Sequence, residues 1–337
     1  MSKRLKIVFG SFAAVVVAIA ATAFAISTQY ERHLNGQVED LFAARNPTEP
    51  SIVTKDDLAD LPEPVQQWLR YSGAVGKPRP TTVRLKQEGE IRLGDRGWMP
   101  FTAEEYYTTD PPGFVWTATI DFTGGIPVIG QDRYIEGAAA LEMRLLGVIP
   151  VASDSGPEMD EGDLLRYLNE TMWFPAGALS PYITWESVDD VSARATMEYG
   201  GSRGFGTFFF DEKGRVTNMI ADRFDREFGA IVPWSTPLQE YGEFDGIRVP
   251  TEGEAVYSRD TGDYAYIRLR VTEIDYDVPV LYQGMSARLE PFQDTGARNR
   301  RQVGCCQFLV AGGDGSVVIS AVYQHLAATA AMVASGR

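Results

Sequence analysis

Histidine and cysteine are nearly missing from this sequence of 337 residues, which holds two of each. His33 follows an apolar N-terminal run, and His325 and the adjacent Cys305 and Cys306 lie near the C-terminus. The long middle of the chain contains neither residue type. That excludes a Ser–His–Asp or Cys–His nucleophile there, a Cys/His zinc site in the main body, and a disulfide framework. Positive charge is also short, with 31 Lys and Arg against 46 Asp and Glu and a formal net charge of -15. Such a balance lacks the basic surface that nucleic acid requires, so no nucleic-acid partner is expected. No glycine-rich phosphate loop leads from a strand into a helix. The stretch Gly200-Gly201-Ser202-Arg203-Gly204-Phe205-Gly206 runs into a strand, Phe205–Phe210, and reads as a turn. Carboxylate, Tyr, Arg, Lys or an oxygen-ligated metal are what is left for catalysis. No cofactor is expected, and the balance leans away from an enzyme.

One long apolar run is present. Lys3, Arg4 and Lys6 precede Ile7–Ile26, whose polar residues are Ser11 and Thr22 alone. Twenty residues at 1.5 Å each span about 30 Å, the hydrocarbon thickness of a bilayer. A cleaved signal peptide is the competing reading, since Ala21-Thr22-Ala23 and Ala23-Phe24-Ala25 are small-residue patterns. The run exceeds the usual length of a signal core, which favours a retained anchor. Basic residues before the span and Glu31, Glu39 and Asp40 after it place the bulk of the chain outside the cytoplasm. The expected location is the cytoplasmic (inner) membrane, single-pass, with an extracytoplasmic domain. Residues 1–30 carry +3 and residues 283–337 carry +2, which leaves -20 on the middle. That charge keeps the domain soluble.

The chain divides into an anchor (1–30), a helical linker with a short helix (31–80), a sheet domain (81–282) and an atypical tail (283–337). Residues 27–45 read as a polar helix continuing from the anchor, broken by Asn46-Pro47-Thr48-Glu49-Pro50. Pro64 opens a short helix whose apolar face is Val65, Trp68 and Leu69, and Gly73 closes it. Alternation then takes over. Leu85, Gln87, Gly89, Ile91 and Leu93 share one face; so do Phe114, Trp116, Ala118, Ile120 and Phe122, and later Ala265, Ile267, Leu269 and Val271. Period two predicts antiparallel strands with one wet face. Turn signals at Gly94–Gly97, Asp110–Gly113, Asp211–Gly214 and Asp260–Asp263 separate about ten strands between Thr82 and Val278. One helix interrupts them near 157–172, with Ser155 as a cap, Pro157 near its first position and Leu164, Leu165, Leu168 and Met172 on one face. The fold class is mainly antiparallel β with some α: a large curved, half-barrel-like sheet, a few helices and an N-terminal transmembrane helix.

Two groups of residues are candidates for a site. Asp154, Glu158, Asp160, Glu161 and Asp163 put five carboxylates within ten residues, which suits Ca²⁺ or an acid/base pair, with Arg166 to orient one of them. A metal set of Asp154, Glu158 and Asp160 is the alternative this offers. Against it, acidic residues in a first helical turn complement the macrodipole, and the spacing fails the twelve-residue calcium loop. The second group is aromatic. Trp116, Ile120, Phe122, Trp173 and Phe174 are the expected lining of an apolar ligand site, although a sheet also needs such residues to fill its core.

The ordered series Leu61–Val65, Tyr71–Gly73, Lys77–Pro80, Pro100–Glu104, Asp110–Trp116, Ser155–Glu158, Trp173–Pro175 and Tyr241–Pro250 resembles a bacterial family of membrane-anchored proteins with a domain of unknown function, over roughly residues 61–278. That family supplies no catalytic residues. The successive hairpins Phe209–Val216 and Phe244–Pro250 also resemble the LolA-type lipoprotein-carrier fold, which implies a curved antiparallel sheet around an apolar cavity. The tail departs from this pattern: Arg298-Asn299-Arg300-Arg301, Cys305-Cys306 and the alanine-rich Val317–Ala334 follow the last strand. A second membrane helix there would carry Gln324 and His325 at its centre, which is costly. A disordered or weakly helical extension and a frame-shifted or over-extended reading frame stay open. The expected function is binding or carrying an apolar molecule such as a lipid. A carboxylate- or calcium-dependent hydrolase and a partner-docking envelope protein are the alternatives.

Overall fold

The alternating segments build one antiparallel sheet whose two ends are joined by a helix running through its hollow. The computed structural model describes residues 3–46, 51–94 and 96–283, with side chains described from Ser11 onward except Ala13. The tail and the Asn46–Pro50 break fall wholly or largely outside the described residues. The first six strands are β1 (Thr82–Ile91), β2 (Met99–Thr109), β3 (Pro112–Thr123), β4 (Ile126–Ile135), β5 (Ala138–Leu145) and β6 (Ile149–Ser155). Next come β7 (Ile183–Asp189), β8 (Ser192–Tyr199), β9 (Ser202–Phe210), β10 (Val216–Asp225) and β11 (Ala230–Ser235). The last four are β12 (Tyr241–Phe244), β13 (Ile247–Pro250), β14 (Glu252–Arg259) and β15 (Gly262–Tyr276).

Thirteen strands form the sheet in the order β6-β5-β4-β3-β2-β1-β15-β14-β11-β10-β9-β8-β7, and β12–β13 is a separate hairpin. Two meanders thus meet where the first strand pairs with the last, Val83 opposite Tyr276 and Ile91 opposite Ile267. The count exceeds the ten predicted from alternation. The additional strands are either four residues long, as in β12 and β13, or, like β6, mostly exposed on both faces, so no alternation marks them.

Among the described residues three α-helices accompany the sheet: α1 (Lys3–Ala44), α2 (Glu63–Ser72) and α3 (Pro157–Glu170). α2 starts and stops as its sequence predicts, with Pro64 in its first turn and Gly73 at φ +78 after its end. It buries Trp68 against Phe208, with ring centres 6.1 Å apart and nearly parallel. The residue before α3 is Gly156 rather than Ser155, and no side chain caps it. Its φ of +114 is open to glycine and lets the chain turn sharply out of β6. α3 leaves one edge strand and, through two short 3₁₀ turns over Thr171–Trp173 and Pro175–Leu179, reaches the other edge at β7. The sheet curls around it until the β4–β5 turn meets the β8–β9 turn. Gly137 and Gly200 face each other so closely that a Cβ on Gly137 would stand 2.4 Å from the Gly200 Cα.

The single wet face predicted for the strands does not hold over β2–β4. α1 is not polar beyond Ile26 on every side: Tyr30, Leu34, Val38, Leu41 and Phe42 make a buried stripe at helical spacing. That stripe covers the convex side, where Val115 and Tyr106 are buried with it and the Gln131 amide donates to the Leu34 carbonyl at 3.2 Å. β3 is consequently buried on both faces over Phe114–Thr117.

Candidate functional site

The concave face is mostly filled by aromatic rings. Tyr107, Phe114, Tyr134, Tyr167 and Phe174 pack ring against ring at 5.1 to 6.4 Å. Beside them the packing leaves a cavity of about 220 Å³ between α3 and the sheet. Its walls are Ile91, Trp116, Leu141, Met143, Met172, Trp173, Trp234, Leu238, Ile267 and Leu269, with Tyr257 and Tyr266 alongside. Tyr266 enters the wall because a bulge opposite Ala255–Val256 shifts the register of β15. The simple alternation put Tyr266 on the face opposite Ile267; with the extra residue, both reach the cavity.

One end of the cavity is charged. Arg166, at the middle of α3, spends all three of its guanidinium nitrogens on carboxylates: Nη2 on Glu105 at 2.7 Å, Nη1 on Asp132 at 2.7 Å and Nε on Glu170 at 2.8 Å. Its guanidinium also lies 4.6 Å from the Phe114 ring centre and 5.4 Å from that of Trp116. Glu105 accepts a second bond from the Gln87 amide at 2.9 Å, and Gln87 in turn accepts from the Trp116 indole at 2.8 Å. The Tyr107 hydroxyl donates to Glu170 at 3.1 Å. On the next part of the wall Arg223 donates to Asp163 at 3.3 Å and to the Tyr266 hydroxyl at 3.4 Å, and the Trp234 indole donates to the same hydroxyl at 3.2 Å.

Four carboxyl groups and two arginines are thus held out of water together. Burial raises Glu105 well above the usual carboxylate range, and the charge of neighbouring Glu170 adds to this. Burial and the charge of Asp132 do the same to Asp163. Asp132 Oδ1 and Asp163 Oδ2 are both buried without a hydrogen-bond partner. Charges so placed contribute little net stability, because their desolvation offsets their attraction. Polar clusters with displaced pKa values beside a cavity are characteristic of functional sites.

Of the residues expected to line an apolar site, Trp116 and Trp173 both reach this cavity. The Trp173 indole is held by the Pro250 carbonyl at 3.1 Å. Ile120 is fully buried in the core away from the cavity wall. Phe122 is half-buried with the Arg96 guanidinium 4.0 Å over its ring. Phe174 sits among Tyr107 and Tyr167 and forms part of a second cavity of about 250 Å³, with Lys77, Pro80, Ile247 and Tyr276. The acidic residues of the alternative disperse. Asp154 pairs with Arg226, Asp160 accepts from the Ala139 amide at 2.7 Å, and Glu158 is exposed. Among the described residues no group of three or more His, Cys, Asp or Glu side chains is arranged to hold a metal ion.

Glu105, Asp132 and Glu170 were not among the expected site residues, yet each leaves a mark in the sequence. Glu105 stands in the inward phase of β2, between Ala103 and Tyr107, and Gln87 holds the same kind of position in β1 between Leu85 and Gly89. Asp132 shares its phase in β4 with Val128 and Tyr134. Asp163, Arg166 and Glu170 recur at helical spacing along α3. A polar residue in an apolar phase is the signal, and it marks burial without naming the partner.

Fold and site together define a half-barrel antiparallel protein that encloses a mainly apolar cavity with a charged end. The chain belongs to the family of unknown function DUF6544, whose model matches residues 51–269. The resemblance read over residues 61–278 agrees with this. No curated protein matches the sequence. Among solved structures, the fold is similar to a LolA superfamily protein from Nitrosomonas europaea, at 9% identity and a TM-score of 0.37, covering 63% of this chain and 93% of that one. It is also similar to a porin-like protein from Bacteroides uniformis, at 12% identity and a TM-score of 0.23, covering 58% and 96% respectively.

Proposed function

We propose that this protein is a membrane-anchored binding or carrier module that takes one apolar molecule, of lipid or acyl-chain type, into the cavity between α3 and the sheet. The observation that carries this reading is the cavity itself. It holds about 220 Å³ of space walled by Trp116, Met143, Met172, Trp173, Trp234 and Leu269, in a core that is otherwise closely filled by rings. Binding would draw on apolar burial, about 25 cal/mol per Å² removed from water. The charged end supplies donors and acceptors for a polar terminus. In the same reading α1 crosses the cytoplasmic membrane once; the segment from Ala14 within it is long and apolar enough for this. The sheet domain then lies on the extracytoplasmic side, as the basic residues before the span favour.

The test is mass spectrometry of lipid extracted from the full-length protein purified in detergent, with Leu269→Trp as a cavity-filling variant. Retention of an acyl-chain compound by the native chain and its loss from a folded Leu269→Trp variant would support the reading. Equal lipid recovery from both, or none from either, would overturn it.

A further inference from the structure

α1 sets the height of the sheet relative to any bilayer it crosses. The apolar run ends at Ile26, and the next residue is already against the sheet. A Cβ on Gly147, in the β5–β6 turn, would lie 2.9 Å from the Ser27 hydroxyl and 3.6 Å from the Tyr30 ring. The helix then continues without a break along the convex face. Leu41 packs at Gly113, and the Asn46 amide donates to the Asp110 carbonyl at 2.9 Å. From Ser27 to Asn46 that is about 28 Å of rise. The two ends of β2–β5 therefore stand at different heights. The β2–β3 turn at Asp110 and the β4–β5 turn at Glu136 are far from the end of the apolar run. The β3–β4 and β5–β6 turns are level with it.

The near end carries one carboxylate, Asp121, which accepts from the Gly125 amide at 2.9 Å in the β3–β4 turn, but its β5–β6 turn is unusual for an acidic domain. Leu145–Ala152 contains no charged residue, whereas the far turns carry Asp110 and Glu136. Ile126, Leu146, Ile149 and Val151 expose 41%, 48%, 41% and 47% of their surface. The Leu146 amide donates to the Pro127 carbonyl at 2.8 Å, which ties the two turns into one patch. Leu146 also holds φ +55, a left-handed conformation in which Gly or Asn is favoured and leucine is strained. Neither solubility nor local backbone preference accounts for a leucine at that tip.

We infer that the β5–β6 turn, together with Ile126, inserts into the interfacial layer of the same bilayer that α1 crosses, so that the domain is held against the membrane at two places. This rests on reading α1 as a membrane-spanning anchor. The patch is continuous with the end of the apolar span, and an uncharged apolar tip suits the boundary between headgroups and acyl chains. A helix with one apolar span acts as a pivot, and a second point of insertion fixes the tilt and rotation of the sheet.

The experiment uses the full chain, with Cys305→Ser and Cys306→Ser, reconstituted into phosphatidylethanolamine–phosphatidylglycerol vesicles. Single cysteines replace Phe12, Leu146 or Glu136 and carry an environment-sensitive fluorophore, with quenching by brominated acyl chains as the readout. Several-fold stronger quenching at Leu146 than at Glu136, alongside quenching at Phe12, is the expected result. Quenching at Phe12 with Leu146 no different from Glu136 would overturn the inserted turn and leave the anchor intact. No quenching at Phe12 overturns the anchor reading and the inference with it. Leu146→Asn, which relieves the left-handed strain, should lower quenching of a label at Ile149→Cys several-fold; unchanged quenching there also counts against insertion.

Discussion

Arg166 donates to Glu105 at 2.7 Å across the hollow of the sheet, and the Glu105 side chain has no exposed surface. A guanidinium from the connecting helix thus meets a carboxyl from the inward phase of β2, at a distance of 61 residues along the chain. Replacing Arg166 with Met keeps most of the side-chain volume and strips three carboxyl groups of their shared donor. The expected loss is about 3–5 kcal/mol of stability, read from denaturant unfolding in detergent. Unfolding unchanged within error would mean that the cluster is open to water.

The protons on this cluster have a direction that solution pH can expose. Glu105 and Asp163 are both raised well above the carboxylate range by burial and by a neighbouring acid. A raised folded-state pKa means that the folded state holds a proton which the unfolded chain has released. Their contribution is full below the ordinary carboxylate pKa of about 4 and is lost as pH rises through the folded value. Stability should fall above about pH 4 by up to roughly 1.4 kcal/mol per pH unit for each proton held. Glu105→Gln, a neutral carboxamide in the same place, should flatten that dependence, and a curve as steep as that of the native chain would refute the assignment of a proton to Glu105.

Gly137 and Gly200 close the curl of the sheet, and neither position has room for a side chain. Both backbones are left-handed, at φ +84 and +62, and a Cβ on either would stand within 2.4 Å of the other residue's backbone. Gly137→Ala or Gly200→Ala should each cost on the order of 2 kcal/mol or more. Gly229→Ala is the control, since it has positive φ at +75 but open space around it. A smaller loss there than at Gly137 separates the close approach from backbone strain alone.

The buried stripe of α1 belongs to the sheet domain. Cutting the chain at residue 46 uncovers Val115 and Tyr106, which Leu41 and Phe42 otherwise cover. A fragment beginning at Ser27 should elute as a single species in size-exclusion chromatography, while one beginning at Asn46 should associate or precipitate. Identical profiles for the two fragments would show that the helix is dispensable to the fold.

The sequence by itself determined the antiparallel class, the apolar N-terminal helix, the bounds of α2, and the phase that Trp116 shares with Phe114, Ala118 and Ile120 in β3. Its scarcity of His and Cys also set limits on chemistry before any fold was known. These are local properties, because period two and period 3.6 report which face a residue takes. Only the tertiary structure decided who its neighbours are. β3 reads as half-wet, yet it is buried on both faces because α1 returns over it. Tyr266 reads as outward, yet a one-residue bulge turns it to the cavity. Glu105, Asp132, Asp163, Glu170, Arg166 and Gln87 come from four separate elements, and no spacing along the chain reveals that they meet. They meet because the first and last strands pair in the middle of the sheet, while α3 joins its two edges through the hollow. Burial fixes each residue's face; strand order and helix crossing fix its partners.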